Sequence, residues 1–115
     1  MKAIASILLA LLVVASGCLR SQIIEVEIVN TGSTAVRNLE VQYPGGSYGA
    51  PELVPNKPHV YKIKPFSSAP IQITYVDSSG KPQIFTGPRV SKGDHGVITI
   101  RISDAGLTWD ARVIH

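Results

Sequence analysis

Hydrophobic and polar residues alternate along most of the chain from residue 23 to the end. Alternation with a period of two places the apolar side chains on one face of a β-strand. The apolar residues predicted to face a common core in this way are Ile24, Val26 and Ile28; Leu39, Val41 and Tyr43; Tyr61 and Ile63; Ile71, Ile73 and Tyr75; Ile98, Ile100 and Ile102; and Leu107, Trp109, Ala111 and Val113. A weaker strand is predicted at 82–86, joined to the strand before it by a hairpin loop at 77–80.

No segment after Leu19 has the 3.6-residue periodicity of an amphipathic helix, and most prolines and glycines fall between the predicted strands. A chain of 115 residues has room for one domain. Six or seven short strands separated by turns predict an all-β fold, a single antiparallel β-sandwich over residues 23–115. A closed barrel is the structural alternative.

Two stretches resemble immunoglobulin-like domains of bacterial surface and periplasmic proteins. The first is EIVNTGSTAVRNLEVQYPGG, in which a strand ends in N-x-G. The second is LVPNKPHVYKIKP, in which the connecting segment Leu53-Val54-Pro55-Asn56 leads into a further strand. Asn56 stands where many relatives have glycine, and asparagine tolerates the left-handed conformation. The resemblance implies an Ig-like sandwich of about seven strands and carries no function.

The first 17 residues differ from the rest of the chain. Residues 3–15 are apolar apart from Ser6, and Lys2 precedes them. This is the pattern of a secretory signal peptide. A membrane-spanning helix is the alternative, but Arg20 follows too soon for the roughly 20 apolar residues that a span needs. We therefore predict that residues 1–17 are a cleaved signal peptide.

The sequence Ala15-Ser16-Gly17-Cys18 resembles the lipobox of bacterial lipoprotein precursors, although that family usually has leucine where this chain has Ala15. The resemblance implies that a diacylglycerol, often with a further acyl chain such as palmitate, is attached to Cys18 and that residues 18–22 form a tether. The domain would then be anchored in the cell envelope and face the periplasm. Leu19 implies, by resemblance to enterobacterial lipoproteins, the outer rather than the inner membrane. An unmodified cysteine of the signal region is the alternative.

Charge excludes one class of partner. After loss of Lys2 with the leader, 10 basic and 8 acidic residues remain, a net charge of +2. The basic residues are scattered, and only Lys62 and Lys64 are close together. A nucleic-acid-binding protein needs a basic patch or stripe, so we expect no nucleic-acid partner.

Catalytic and metal-binding residues are not predicted. Ser47 lies in Gly45-Gly46-Ser47-Tyr48-Gly49, where the glycines suit a flexible turn. The Asp94-His95 pair is interpreted as part of a solvated turn, and His115 as a mobile end. No pair of acids and no histidine spacing typical of a metal site is found, so we predict a protein that is not an enzyme and has no metal or cofactor.

Two residues are candidates for recognition. Tyr48, with Ser47 beside it, is predicted to lie in a glycine-rich loop, a composition typical of adaptable binding surfaces. Trp109 has the phase of a core residue. The preferred hypothesis is a lipid-anchored interaction or assembly domain that uses exposed strand edges and loops to contact an envelope protein. The alternative is an envelope protein that binds a small ligand or glycan through the Tyr48 loop.

Overall fold

The computed structural model describes residues 22–115 and shows eight β-strands. Their bounds are β1 Ile24–Asn30, β2 Val36–Tyr43, β3 Gly46–Leu53, β4 His59–Ile63, β5 Ala69–Val76, β6 Pro82–Val90, β7 His95–Ser103 and β8 Gly106–Ile114. Within this part of the chain, no helix is long and apolar enough to cross a membrane. The predicted leader 1–17 and Cys18 lie outside the described residues, as does the tether up to residue 21.

The strands form two four-stranded sheets that face each other. Sheet 1 has the order β4-β1-β7-β8, and sheet 2 has the order β3-β2-β5-β6. The predicted all-β sandwich is confirmed. The pairing is antiparallel between all neighbouring strands except β1 and β7, which pair in parallel. The connection from β6 to β7 lies at the end of the sandwich at which β1 begins, so β1 and β7 run in the same direction.

The core lies between the sheets and is built by the predicted alternation. Ile24, Val26 and Ile28 on β1 are fully buried, as are Ile98 and Ile100 on its neighbour β7. Burial of each such side chain contributes about 1.5–3 kcal/mol. The remaining buried apolar residues are Val36, Leu39, Val41, Ala50, Leu53, Ile63, Ile71, Ile73, Tyr75, Val90 and Ile102. Tyr43, Leu107, Ala111 and Val113 pack against this cluster and are partly buried.

One strand was not predicted. The segment around Tyr48 is predicted to be a glycine-rich loop, whereas Gly46–Leu53 forms β3 and brings the number of strands to eight. Glycine and Pro51 are typical of turns, but both are tolerated at the edge of a sheet, which is where β3 lies. The weaker strand at 82–86 is confirmed and continues as β6 to Val90.

Two predicted features of the connections, the hairpin loop at 77–80 and the left-handed Asn56, are confirmed. The segment between β5 and β6 is a hairpin loop, and Gly80 in it has φ 84°. Asn56 adopts the left-handed conformation with φ 63°. Its amide donates to the carbonyl of Asn30 at 2.8 Å, which fixes the step between β3 and β4.

The sandwich has two ends with different contents. The N-terminal end is where β1 begins, and it carries the turn 44–45, the connections 64–68 and 91–94, and His115. The distal end carries the turns 31–35, 77–81 and 104–105 and the connection 54–58. Each candidate surface lies either at one of these ends or along an edge strand.

Candidate interaction surfaces

Tyr48 does not project from a loop. Its ring lies on the core side of β3 and stacks on Tyr61 of β4, with centroids 3.9 Å apart and planes at 23°. Tyr43 lies against the same ring at 6.2 Å. Burial raises the pKa of the Tyr48 hydroxyl, and Tyr61 and Tyr43 raise it further. Tyr48 is thus a neutral, largely enclosed aromatic residue, and its predicted display in a loop is wrong.

Ser47 is exposed on β3 and pairs with Gln42 of β2. The segment Gly45-Gly46-Ser47-Tyr48-Gly49, predicted to be a flexible turn, fits the spacing G-x-S-x-G of a nucleophile elbow. That motif needs a sharp turn from a strand into a helix. Ser47 lies instead near the start of an edge strand that follows a tight hairpin turn. A contact role for Ser47 and Tyr48 stays a prediction.

A polar cleft of about 430 Å³ opens at the distal end. It is lined by Asn30, Ser33, Thr34, Ser103, Asp104 and the hairpin that begins at Asp77. One carboxylate oxygen of Asp77 accepts hydrogen bonds from the amides of Ser79 and Lys81 and from the Ser79 hydroxyl, and the other accepts from Gln83. The Ser79 hydroxyl and the Lys81 amide lower the pKa of Asp77 to about 2.

The other wall of the cleft is also held by hydrogen bonds within the chain. Asp104 accepts from the amide and hydroxyl of Ser33. Asn30, which is 1% exposed, donates to the carbonyls of Thr34 and Leu53 and accepts from the amide of Gly32. These polar groups join three turns to the ends of both sheets.

Asp94 is not part of a solvated turn. Its side chain is 2% exposed, and its carboxylate accepts from the Ser91 amide at 2.8 Å. His115, predicted to be mobile, places its ring Nδ1 2.8 Å from the other oxygen of Asp94. The pair ties the end of β8 to the turn before β7. Between residues 22 and 115 no group of three or more histidine, cysteine or acidic side chains could hold a metal ion.

β8 forms an open edge of sheet 1. All nine of its residues pair with β7 in unbroken register, from Gly106 opposite Ser103 to Ile114 opposite His95. Its other flank has no neighbouring strand among the described residues. In an antiparallel edge strand, alternate residues point their N–H and C=O groups away from the sheet. Alternate residues of β8 therefore present these groups on its open flank.

Trp109 lies midway along this edge. It shares a face with Leu107 and Ala111, so its predicted phase is confirmed, but it is 44% exposed and its predicted burial is wrong. Solvent reaches the ring because an edge strand has a neighbour on one flank only. The alternation of β8 fits an edge strand and a central strand equally well, so it could not have shown this exposure.

Comparisons with known proteins bear on the fold alone. No protein-family model matches the chain, and no curated protein matches it. An NMR structure of a protein from Eubacterium rectale is similar with a TM-score of 0.54 and 14% identity, over 81% of this chain and 87% of that one. A crystal structure from Bacteroides uniformis, described as a "putative cell adhesion protein", aligns with a TM-score of 0.41 and 14% identity, over 81% of this chain and 50% of that one. The first of these similarities supports the sandwich fold.

Proposed function

We propose that the chain is a lipid-anchored, non-enzymatic interaction domain of the cell envelope, facing the periplasm from the outer membrane. In this proposal it binds an extended segment of an envelope protein by adding that segment to sheet 1 along β8. The observation that carries the binding role is the open, uninterrupted edge of β8 with Trp109 beside it.

The anchor is inferred from the leader. The apolar run 3–15 is followed by Ala15-Ser16-Gly17-Cys18, and Cys18 is the one cysteine of the chain. One acyl chain holds a protein only reversibly, whereas two or more hold it firmly, since each buried methylene contributes about 0.8 kcal/mol. A diacylglycerol on Cys18 would keep the domain at the membrane surface.

The choice of β8 follows from a comparison of the four edge strands. β3 contains Pro51, and β6 contains Pro88 next to a register shift opposite Pro70 and Gln72. Proline and irregular register both block the addition of another strand. β4 has five residues, whereas β8 has nine and no proline. Strand addition takes its affinity from main-chain hydrogen bonds and its specificity from side chains such as an exposed aromatic.

The position of Tyr48 supports the alternative, a glycan or small-ligand site, less well than the β8 edge supports strand addition. Its ring is enclosed between Tyr61 and Tyr43, so a ligand would reach Ser47 but not the aromatic face. We therefore place the binding function on β8.

The anchor is tested by labelling cells with a fatty acid and following the chain. We expect the wild-type protein to incorporate the label and to be shortened by about the mass of residues 1–17. The Cys18→Ser variant should stay unlabelled and unprocessed. Equal labelling of this variant would rule out Cys18 as the attachment site.

The β8 edge is tested with a photo-crosslinking amino acid placed in living cells at Thr108, Asp110 or Arg112, which are exposed. The matched controls are the exposed positions Glu52 on β3 and Gln72 on the central strand β5. We expect adducts from the β8 positions only, and we expect the crosslinked partner residues, read by mass spectrometry, to advance by two for each step of two along β8.

Four results distinguish strand addition from its alternatives. A two-residue advance is the signature of a paired strand, and loss of the adducts in Trp109→Ala would show that the ring contributes. Adducts scattered over the partner would contradict strand addition. Adducts between two copies of this chain would replace the envelope partner with self-association.

A further inference from the structure

The N-terminal end of the sandwich exposes large apolar side chains that the core does not use. Phe66 is 69% exposed, Ile114 is 63% exposed and Ile23 is 50% exposed. Ile23 directly precedes β1, Ile114 ends β8, and Phe66 lies in the connection after β4. The amide of Phe66 donates to the carbonyl of Pro44 at 3.0 Å, which fixes the base of the side chain while its ring stays exposed.

These side chains come from different elements that meet at this end. The amide of Gly96 donates to the carbonyl of Ile23 at 3.3 Å, and the next residue along β7, His95, is the register partner of Ile114. Ile23 and Ile114 therefore flank His95 across sheet 1. Phe66 lies against Gly45, in the turn that joins the first two strands of sheet 2. The apolar groups thus lie at the ends of both sheets.

The exposed charge at the same end is positive. Lys64, Arg89 and Lys92 are exposed there, and Arg112 is exposed with its guanidinium 4.0 Å from the carboxylate of Asp110. The acids of this end are Glu25, which is half-buried, and Asp94, which is buried and bonded within the chain. The distal end instead has the carboxylates of Asp77 and Asp104 together with Arg37, Lys57 and Lys81. The N-terminal end therefore combines exposed apolar residues with exposed cations, whereas the distal end, which exposes Val54 and Ile84, carries charges of both signs.

The chain outside the described residues reaches the domain at this end. Five Cα–Cα steps separate Cys18 from Ile23, so a lipidated Cys18 lies at most about 18 Å from Ile23, the residue before β1. A bilayer that holds the acyl chains must then come close to the N-terminal end. Apolar side chains with lysine and arginine around them are the combination that binds the boundary between headgroups and acyl chains of an anionic bilayer.

From this geometry we propose that the N-terminal end docks on the bilayer, with Phe66 inserted at the headgroup boundary and Lys64 and Lys92 against anionic headgroups. The inference rests on the lipid anchor of the proposed function and adds an orientation to it. The strands would stand away from the membrane with the distal end outermost. The β8 edge would then rise from the surface, open to a partner along its length.

The test places a single tryptophan at either end of the domain in the lipidated protein. The background is Trp109→Phe, the probe is Phe66→Trp, and the matched control is Ile84→Trp, since Ile84 is 71% exposed on β6 away from the N-terminal end. The detergent-extracted protein is reconstituted into vesicles of phosphatidylcholine and phosphatidylglycerol at a ratio of about 7:3, with and without brominated acyl chains. Flotation of the vesicles measures anchoring separately.

We expect the F66W probe to be blue-shifted and at least about twofold more strongly quenched by brominated lipid than the I84W control. The double variant Lys64→Glu, Lys92→Glu in the F66W background should reduce the quenching. Lys57→Glu, Lys81→Glu, with the same change in net charge at the distal end, should not. Protein that floats while both probes are quenched equally would overturn the docking and leave the anchor intact. Protein that does not float and carries no fatty-acid label would overturn both.

Discussion

The stack of Tyr48 on Tyr61 joins β3 of sheet 2 to β4 of sheet 1 across one side of the sandwich, with ring centroids 3.9 Å apart. The Tyr61 hydroxyl adds a hydrogen bond of 3.1 Å to the carbonyl of Gly49 on β3. The side of the sandwich formed by β3 and β4 is thereby closed by two aromatic rings. On the opposite side, Trp109 leaves part of its ring to solvent.

The Tyr48→Phe variant should be as stable as the wild type or more stable by up to about 1 kcal/mol. Among residues 22–115 the buried hydroxyl of Tyr48 has no hydrogen-bond partner, and an unsatisfied buried polar group destabilises a fold. Tyr48→Ala should cost about 3 kcal/mol, because it removes the ring as well. Urea unfolding of the three proteins measures both effects.

Tyr61→Phe is the matched control, since it removes a hydroxyl that does have a partner. We expect it to lose up to about 1 kcal/mol. If Tyr48→Phe lost more than Tyr61→Phe, a bound group at the Tyr48 hydroxyl would be indicated, and the purely structural role of the ring would be wrong.

Asn30→Asp should destabilise the domain more than Asn30→Ala at neutral pH. The amide nitrogen of Asn30 donates to the carbonyls of Thr34 and Leu53 at 2.8 and 3.0 Å, and the residue is 1% exposed. A carboxylate cannot donate to these carbonyls and would be a buried, unpaired charge. We expect losses of about 2 kcal/mol for alanine and more for aspartate, measured by thermal unfolding. A smaller loss for aspartate at pH 7 would contradict this assignment.

The sequence predicts the strands that supply the core, because Ile24, Val26 and Ile28 alternate with charged residues and burial follows that alternation. It does not predict β3, because edge strands tolerate the glycines and prolines that otherwise indicate turns. The exposure of surface residues is harder to predict from the sequence than the positions of the strands. Whether Trp109 is covered depends on which strands become edges, and this is decided by pairing between segments far apart in sequence.

Gly96→Ala should destabilise the domain and displace the end of β8. Gly96 has φ 142°, a conformation that other residues rarely adopt, and a Cβ here would overlap the carbonyl oxygen of Arg112 and lie 2.9 Å from the Cα of Val113. Backbone strain alone costs about 1–3 kcal/mol. Gly93→Ala is the control, because φ at Gly93 is also positive at 88° but nothing lies within 4 Å of an added Cβ. Chemical denaturation should therefore show a clearly larger loss for Gly96→Ala, and equal losses would mean that β7 and β8 do not approach so closely.

The hairpin between β5 and β6 should loosen in acid because of Asp77. The hydroxyl of Ser79 and the amide of Lys81 hold the pKa of Asp77 at about 2, below its ordinary value of 3.8. The carboxylate binds its proton less readily when folded, so its stabilising effect is complete above pH 3.8 and is lost as the pH falls through 2.

Hydrogen exchange at the amides of Ser79 and Lys81, which donate to this carboxylate, should therefore accelerate in the wild type between pH 4 and pH 2 beyond the intrinsic change. In Asp77→Asn the amides should be less protected at pH 5 and should show no such step, because the amide side chain does not titrate in this range. Ser79→Ala removes the strongest donor, so an NMR titration should show the pKa of Asp77 rising toward 3.8. An unchanged pKa in that variant would assign the depression to the backbone amides instead.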